Sequence, residues 1–227
     1  MSPAAEAALA PAGAASDDGL DLAPLRGLLG GPGVLIGARR IRSCDERAAP
    51  PSTTKEGAAT IERRRASGAA RIVARRLLAE LGSDPEAELA RGPSHAAVWP
   101  PGIVGALAHD GEFAVAIAAR AGRLIGVGVD VEPAEPLPAD LVDFVLLPAE
   151  RAEAGGDPVK QRLVFACKEA VYKAIHPIDG SAFEYPDIEV RLDEAVARLK
   201  DGRRLKLAIL ASGRLVAAAW AFAGFER

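Results

Sequence analysis

Apolar positions in this chain recur in two rhythms: a two-residue alternation that marks half-buried strands, and a spacing of about 3.6 that marks helices. Ordered structure is expected to begin at Leu20 to Leu29, and Val34-Leu35-Ile36, an apolar run bounded by glycines, predicts a short strand. Ala48 to Ser52 contains Pro50 and Pro51 and predicts a loop. Thr53 and Glu56 then read as a capping box, whose hydroxyl and carboxylate would satisfy free backbone N–H groups at a helix start. The long helix that follows carries Ile61, Ala69, Ile72, Val73, Leu77 and Leu81 on one stripe, and Gly82 is its natural C-cap.

Beyond Gly102 the rhythm changes to strands: Ile103 to Leu107, Phe113 to Ala118 and Leu124 to Val131. Asp110-Gly111 and Ala121-Gly122 are the turns between them, and the middle pair resembles a hairpin. After the proline-rich stretch Pro133 to Pro138, a helix is predicted over Ala139 to Phe144, then a Gly155-Gly156 loop, then a second long helix from Pro158 to Ile175. The end of the chain predicts strands at Ile188 to Leu192, Arg204 to Ala211 and Leu215 to Phe222. Each half thus supplies one long helix and several antiparallel strands, an α+β fold of two similar lobes at 20–122 and 123–227. Residues 1–19 are expected to be a disordered tail, because the Ala-rich start is broken by Pro3, Glu6, Pro11 and Gly13 and lacks the pattern of a secretory signal.

At 227 residues and 49% hydrophobic, the chain can bury a substantial core without a disulfide or metal staple. A charged fraction of 26% and a net charge of -3 exclude a generic polyanion binder, so no nucleic-acid partner is expected and any anionic ligand must be gripped locally. The 2 cysteines, Cys44 and Cys167, lack the spacing of a metal site or disulfide framework, and a cytoplasmic protein is expected. No run of about 20 apolar residues is present, so no membrane span is expected.

Candidate chemistry lies in three places. In Gly128-Val129-Asp130-Val131-Glu132 the alternation puts Asp130 and Glu132 on one face of a strand while Val129 and Val131 enter the core. Two adjacent carboxylates repel, a cost that magnesium removes, although a solvated strand end has the same sequence. On the second long helix Glu169 and Lys173 are i and i+4 neighbours, the spacing of an ordinary surface ion pair. The first long helix is the densest basic stretch, with Arg63, Arg64, Arg65, Arg71, Arg75 and Arg76; it reads either as a solvated face or as a grip for phosphate. Together with His109 these segments provide the carboxylates and cations that phosphoryl transfer needs.

These segments resemble the signatures of the 4′-phosphopantetheinyl transferase superfamily. Gly128 to Glu132 and Phe165 to Lys173 look like its G-[IV]-D-x-E and [FW]-x-x-K-E-x-x-x-K motifs, and Trp99 to His109 is similar to the W-P-x-G-x-x-G-S-x-[ST]-H segment of the enterobactin-synthase-component subgroup and its actinobacterial relatives. Arg63 to Arg75 is similar to the family's arginine-rich helix, with Ala66 and Ser67 where Glu and Phe usually stand; Ala106 and Ala108 replace the usual hydroxyl residues before the histidine.

The resemblance implies transfer of phosphopantetheine from coenzyme A to a serine of an acyl or peptidyl carrier protein, serving fatty-acid, polyketide, nonribosomal-peptide or siderophore assembly. It implies magnesium on Asp130, Glu132 and Glu169, and Glu169 as the base for the carrier serine. Lys173 and Lys168 would neutralise the pyrophosphate. His109 and the backbone at Ala108 would hold a phosphate of coenzyme A, and Arg63, Arg71 and Arg91 would grip the nucleotide end. Trp99 is expected to pack, and His95 and His176 are assigned no role. A monomer is expected. A magnesium-dependent nucleotide hydrolase and a noncatalytic coenzyme A or carrier-binding module remain the alternatives.

Overall fold

The computed structural model describes residues 18–29, 33–51, 58–92 and 96–224. The capping box at Thr53 and Glu56, His95 and most of the expected tail lie outside them. Among the described residues the chain forms five α-helices and eight strands. Strands β1 (Val34–Arg40), β2 (Ile103–His109) and β3 (Phe113–Arg120) form an antiparallel sheet in the order β1-β3-β2. Strands β4 (Leu124–Pro133), β5 (Ile188–Arg191), β6 (Val196–Leu199), β7 (Arg204–Ser212) and β8 (Arg214–Phe222) form a second antiparallel sheet in the order β4-β8-β7-β6-β5. The fold is α+β, with two antiparallel sheets and a long helix on each.

The apolar rhythm explains how these sheets stack. On β3, Phe113, Val115, Ile117 and Ala119 face an apolar layer shared with the second sheet, while Ala116 and Ala118 face helix α2 (Ala58–Glu80). On β8, Val216, Ala218 and Trp220 enter the same shared layer, while Ala217, Ala219 and Ala221 meet helix α5 (Pro158–Asp179). Both strands are apolar on every internal position because both of their faces are covered. Leu22, Leu25 and Leu29 of the short helix α1 (Ala23–Leu29) and its lead-in close one margin of the layer.

Helix α5 starts where Asp157 accepts hydrogen bonds from the N–H groups of Val159 and Lys160, with Pro158 in the first turn, and it stops at Gly180 in a left-handed conformation. It runs four residues past the expected end at Ile175 and carries Pro177 in its last turn. Helix α3 (Ala139–Val145) forms where expected. Helix α4 (Pro148–Ala154) and strand β6 were not anticipated. Packing of α4 against α5 and pairing of β6 with β5 and β7 create them.

Candidate active site

Side chains of β4 alternate between Val127, Val129 and Val131 in the shared apolar layer and Gly126, Gly128, Asp130 and Glu132 on the opposite face, beneath α5. The glycines set how closely the helix sits. A Cβ on Gly128 would stand 1.9 Å from the carbonyl oxygen of Ala170, and one on Gly126 would stand 2.2 Å from that of Ala174. Only hydrogen fits. With α5 seated on bare backbone, Asp130 meets side chains of the helix.

Asp130 Oδ1 accepts a hydrogen bond from Lys173 Nζ at 2.6 Å, while Asp130 Oδ2 is buried with no hydrogen-bond partner. Burial pushes the Asp130 carboxyl above the usual carboxylate range; Lys173 opposes this and the Glu169 charge adds to it. Glu132 Oε2 accepts from Arg162 at 2.9 Å, and burial followed by the Asp130 charge raises its carboxyl as well. Glu169 Oε1 accepts from the Tyr185 hydroxyl at 2.6 Å. Burial and then Glu169 push the Tyr185 phenol up, so it stays protonated and donates. The expected i,i+4 contact of Glu169 with Lys173 is therefore replaced by two contacts outside the helix, Lys173 with the buried Asp130 and Glu169 with the half-buried Tyr185.

Asp130 lies within electrostatic reach of both Glu132 and Glu169. Among the described residues no three His, Cys, Asp or Glu side chains gather closely enough to form a metal cage. The orphaned Asp130 Oδ2 and the mutual repulsion fit a different arrangement, in which a hard cation is held by one or two carboxylates and completed by phosphate oxygens and water. Magnesium is usually bound in this way.

Two expected site residues are placed elsewhere. Lys168 is fully buried, and its ammonium donates to Glu150 Oε2 at 2.7 Å, to Val145 O at 2.8 Å and to Tyr185 O at 3.0 Å. An ammonium has three protons and all three are used, which leaves none for a phosphate. Ala108 is also buried, its methyl in the apolar layer between the sheets. The Asp110 N–H to Phe113 O bond fixes the parity of the β2–β3 ladder. Ala106 and Ala108 therefore exchange backbone bonds with Ile117 and Val115, and the N–H groups of Leu107 and His109 point to the free edge of β2 instead.

The remaining predicted residues meet in a cleft of about 1150 Å³ between α2 and α5, along the edges of β2 and β4. Arg63, Arg71, Arg91, His109, Glu169 and Lys173 all line it. Arg71 is buried and braced, donating to Leu89 O at 2.9 Å and to Ser67 Oγ at 2.6 Å. Burial, then the Arg91 and Arg75 cations, push its guanidinium below the ordinary value. Among the described residues no carboxylate pairs with Arg71 or Arg91, so these two cations of the cleft are available to an anion. His109 has its outer edge open to solvent, yet surrounding protein and then Lys173 push its imidazole down toward the neutral form.

Several lining or contacting residues escaped sequence reasoning. Arg162, Glu169, Lys173 and His176 recur at seven, four and three residues along α5, a spacing that marks one helical face and would have revealed Arg162 and His176. Trp99 lines the cleft as well as packing, its ring lying where a Cβ on Gly105 would be only 2.4 Å away. Tyr185 gave no signal, since its partner is reached only through the turn after α5.

Comparisons with known proteins point to one family. Residues 54–119 match the 4'-phosphopantetheinyl transferase N-terminal domain, and residues 126–219 match the 4'-phosphopantetheinyl transferase superfamily. The chain is 36% identical over 129 residues to 4'-phosphopantetheinyl transferase Svp of Streptomyces mobaraensis, covering 54% of this chain and 52% of that protein. It is 36% identical over 146 residues to 4'-phosphopantetheinyl transferase Npt of Nocardia iowensis, covering 62% and 65%. It is 34% identical over 127 residues to 4'-phosphopantetheinyl transferase PptT of Mycobacterium tuberculosis, covering 54% and 56%. The matches thus span between 52% and 65% of the length of these curated relatives.

Proposed function

We propose, from the premise that this chain belongs to the 4'-phosphopantetheinyl transferase superfamily, that it moves the phosphopantetheine arm of coenzyme A onto a serine of a carrier protein. The observation that carries this reading is the cleft, which brings Arg71 and Arg91 together with His109, Glu169 and Lys173, the last of them bonded to the buried Asp130. Coenzyme A has the complementary layout. Its 3′-phosphate and nucleotide suit Arg63, Arg71 and Arg91, and its pyrophosphate suits His109 and Lys173. Lys173 stands within reach of both Asp130 and the cleft and balances negative charge on either.

In the reaction the carrier serine Oγ forms a bond to the β-phosphorus, and the bond from that phosphorus to the bridging oxygen breaks. Adenosine 3′,5′-bisphosphate leaves with the bridging oxygen, and the serine proton passes to the Glu169 carboxylate directly or through one water. Tyr185 occupies Glu169 Oε1, so Oε2 is the oxygen available for that proton. Magnesium held by Asp130 with Glu132 or Glu169 would supply charge neutralisation at the pyrophosphate. In the same proposal the enzyme acts in the cytoplasm as a monomer.

The test is incubation of the purified chain with coenzyme A, magnesium chloride and a panel of apo fatty-acid, polyketide and nonribosomal-peptide carriers, read by intact mass. Addition of one phosphopantetheine group, with release of adenosine 3′,5′-bisphosphate only when carrier is present, is the expected result. Cleavage of coenzyme A without carrier would assign a hydrolase, and binding without modification of any carrier would assign a noncatalytic module.

A further inference from the structure

Tyr185 is held at both ends. Its phenol donates to Glu169 Oε1 at 2.6 Å, and its backbone carbonyl accepts from Lys168 Nζ at 3.0 Å. Lys168 and Glu169 are consecutive on α5, so their side chains leave the helix about 100° apart. One points into the core and the other toward the cleft, and both close on the same residue. Between these anchors the Tyr185 ring packs against Phe144 and Phe165, with centroids 5.5 and 5.8 Å away.

Lys168 is in turn fixed by Glu150, whose Oε1 accepts from the Val190 N–H at 2.7 Å and whose Oε2 accepts from the Leu147 N–H at 2.7 Å. The phenol therefore sits on a buried frame that ties α4, α5 and β5 together. Glu169 has no such frame of its own. It is half-buried on a helix surface, and a glutamate there loses up to about 2 kcal/mol of rotamer entropy when confined to one geometry.

We propose that Tyr185 is the positioning residue for Glu169: by occupying Oε1 it confines the carboxylate to one orientation, while Lys168 holds Tyr185 from behind. This proposal rests on Glu169 having the role assigned under the proposed function. It gives the buried lysine a purpose in the site without contact with substrate. Hydrogen-bond partners behind a metal-ligating side chain, the second role the resemblance gives Glu169, typically account for 10- to 100-fold in metal affinity or activity.

The decisive variant is Tyr185→Phe, which keeps the ring contacts and the carbonyl that Lys168 needs, so the fold and thermal midpoint should be retained. Transfer by this variant is expected to show kcat lowered about tenfold with KM for coenzyme A unchanged, since only the orientation of the base is lost. A folded Tyr185→Phe protein with unchanged kcat overturns the proposal. The contact itself is read without activity by ultraviolet resonance Raman of the phenol, which the chain's 2 tyrosines make tractable. Glu169→Ala should change the hydrogen-bonding signature of the tyrosine signal in the wild-type background and leave it unchanged in Tyr185→Phe. No change in the wild-type background also overturns the proposal. Should the wild-type chain modify no carrier, the functional reading fails by itself, and the Raman pair still decides whether Tyr185 holds Glu169.

Discussion

Lys173 reaches 2.6 Å across from α5 to Asp130 on β4, and this bond joins the helix that carries the candidate base to the strand that carries the buried carboxylate. It is the principal counter-charge of an otherwise buried acid whose second oxygen has no partner.

Loss of this lysine should make stability fall more steeply with pH. The folded state already holds the Asp130 proton more tightly than the unfolded chain, whose carboxyl has the ordinary value of 3.8, so folding stability declines as pH rises through the raised folded value. Lys173→Met removes the group that opposes that rise. Urea denaturation should show a larger loss relative to wild type at pH 8 than at pH 5; an equal loss at both would mean that Asp130 does not feel Lys173.

The seat of α5 on β4 should tolerate no side chain. Gly128→Ala would place a carbon 1.9 Å from the Ala170 carbonyl oxygen, and backbone cannot yield as a side-chain tip does. The expected cost is at least about 3 kcal/mol by chemical denaturation, the upper end for overpacking, with carrier modification lost.

The arginine end of the cleft should bind phosphate directly. Arg91→Ala removes one cation without cutting the backbone braces that Arg71 makes, so it should weaken coenzyme A binding about tenfold in calorimetry, the value of one charge-assisted hydrogen bond. The loss should shrink with 3′-dephospho-coenzyme A, and it should shrink as salt is raised.

Binding of coenzyme A should be coupled to protonation of His109. In the free protein its imidazole is pushed below the ordinary 6.5 by crowding and by Lys173, and a bound phosphate would raise it again. Between those two values binding takes up a proton, so affinity should increase as pH falls through the value of the bound imidazole. Calorimetry in buffers of different ionisation heat should detect the uptake, and His109→Ala should abolish it.

Breaking the buried ion pair should destabilise the chain strongly. Lys168→Met leaves Glu150 charged and enclosed, at an expected cost of about 3–5 kcal/mol in chemical denaturation, whereas an ordinary exposed pair would cost under about 1 kcal/mol.

Much of this protein was legible in its residues. Apolar runs bounded by turn residues located β2, β3, β4, β7 and β8, the 3.6-residue stripe located α2, and the second long helix was expected where α5 forms. The alternation of Gly128 to Glu132 also assigned the valines to the core and the carboxylates to the other face. Shortness alone does not hide an element, since α3 and β5 are as short as α4 and β6 and only the latter pair went unanticipated; these two are made by the helix and strands packed beside them.

The sequence by itself thus determined the family resemblance, the two long helices and the chemical types gathered at the cleft. Only the tertiary structure decided which partner each charge takes. Glu169 and Lys173 look paired along the helix yet bond to Tyr185 and Asp130, and Lys168 looks like a phosphate ligand yet spends every proton on Glu150 and two carbonyls. The reason is physical: helical spacing fixes which neighbours are within reach along the helix, but Asp130 and Glu150 are buried, and enclosing a charge without a partner is so costly that each draws a lysine from α5.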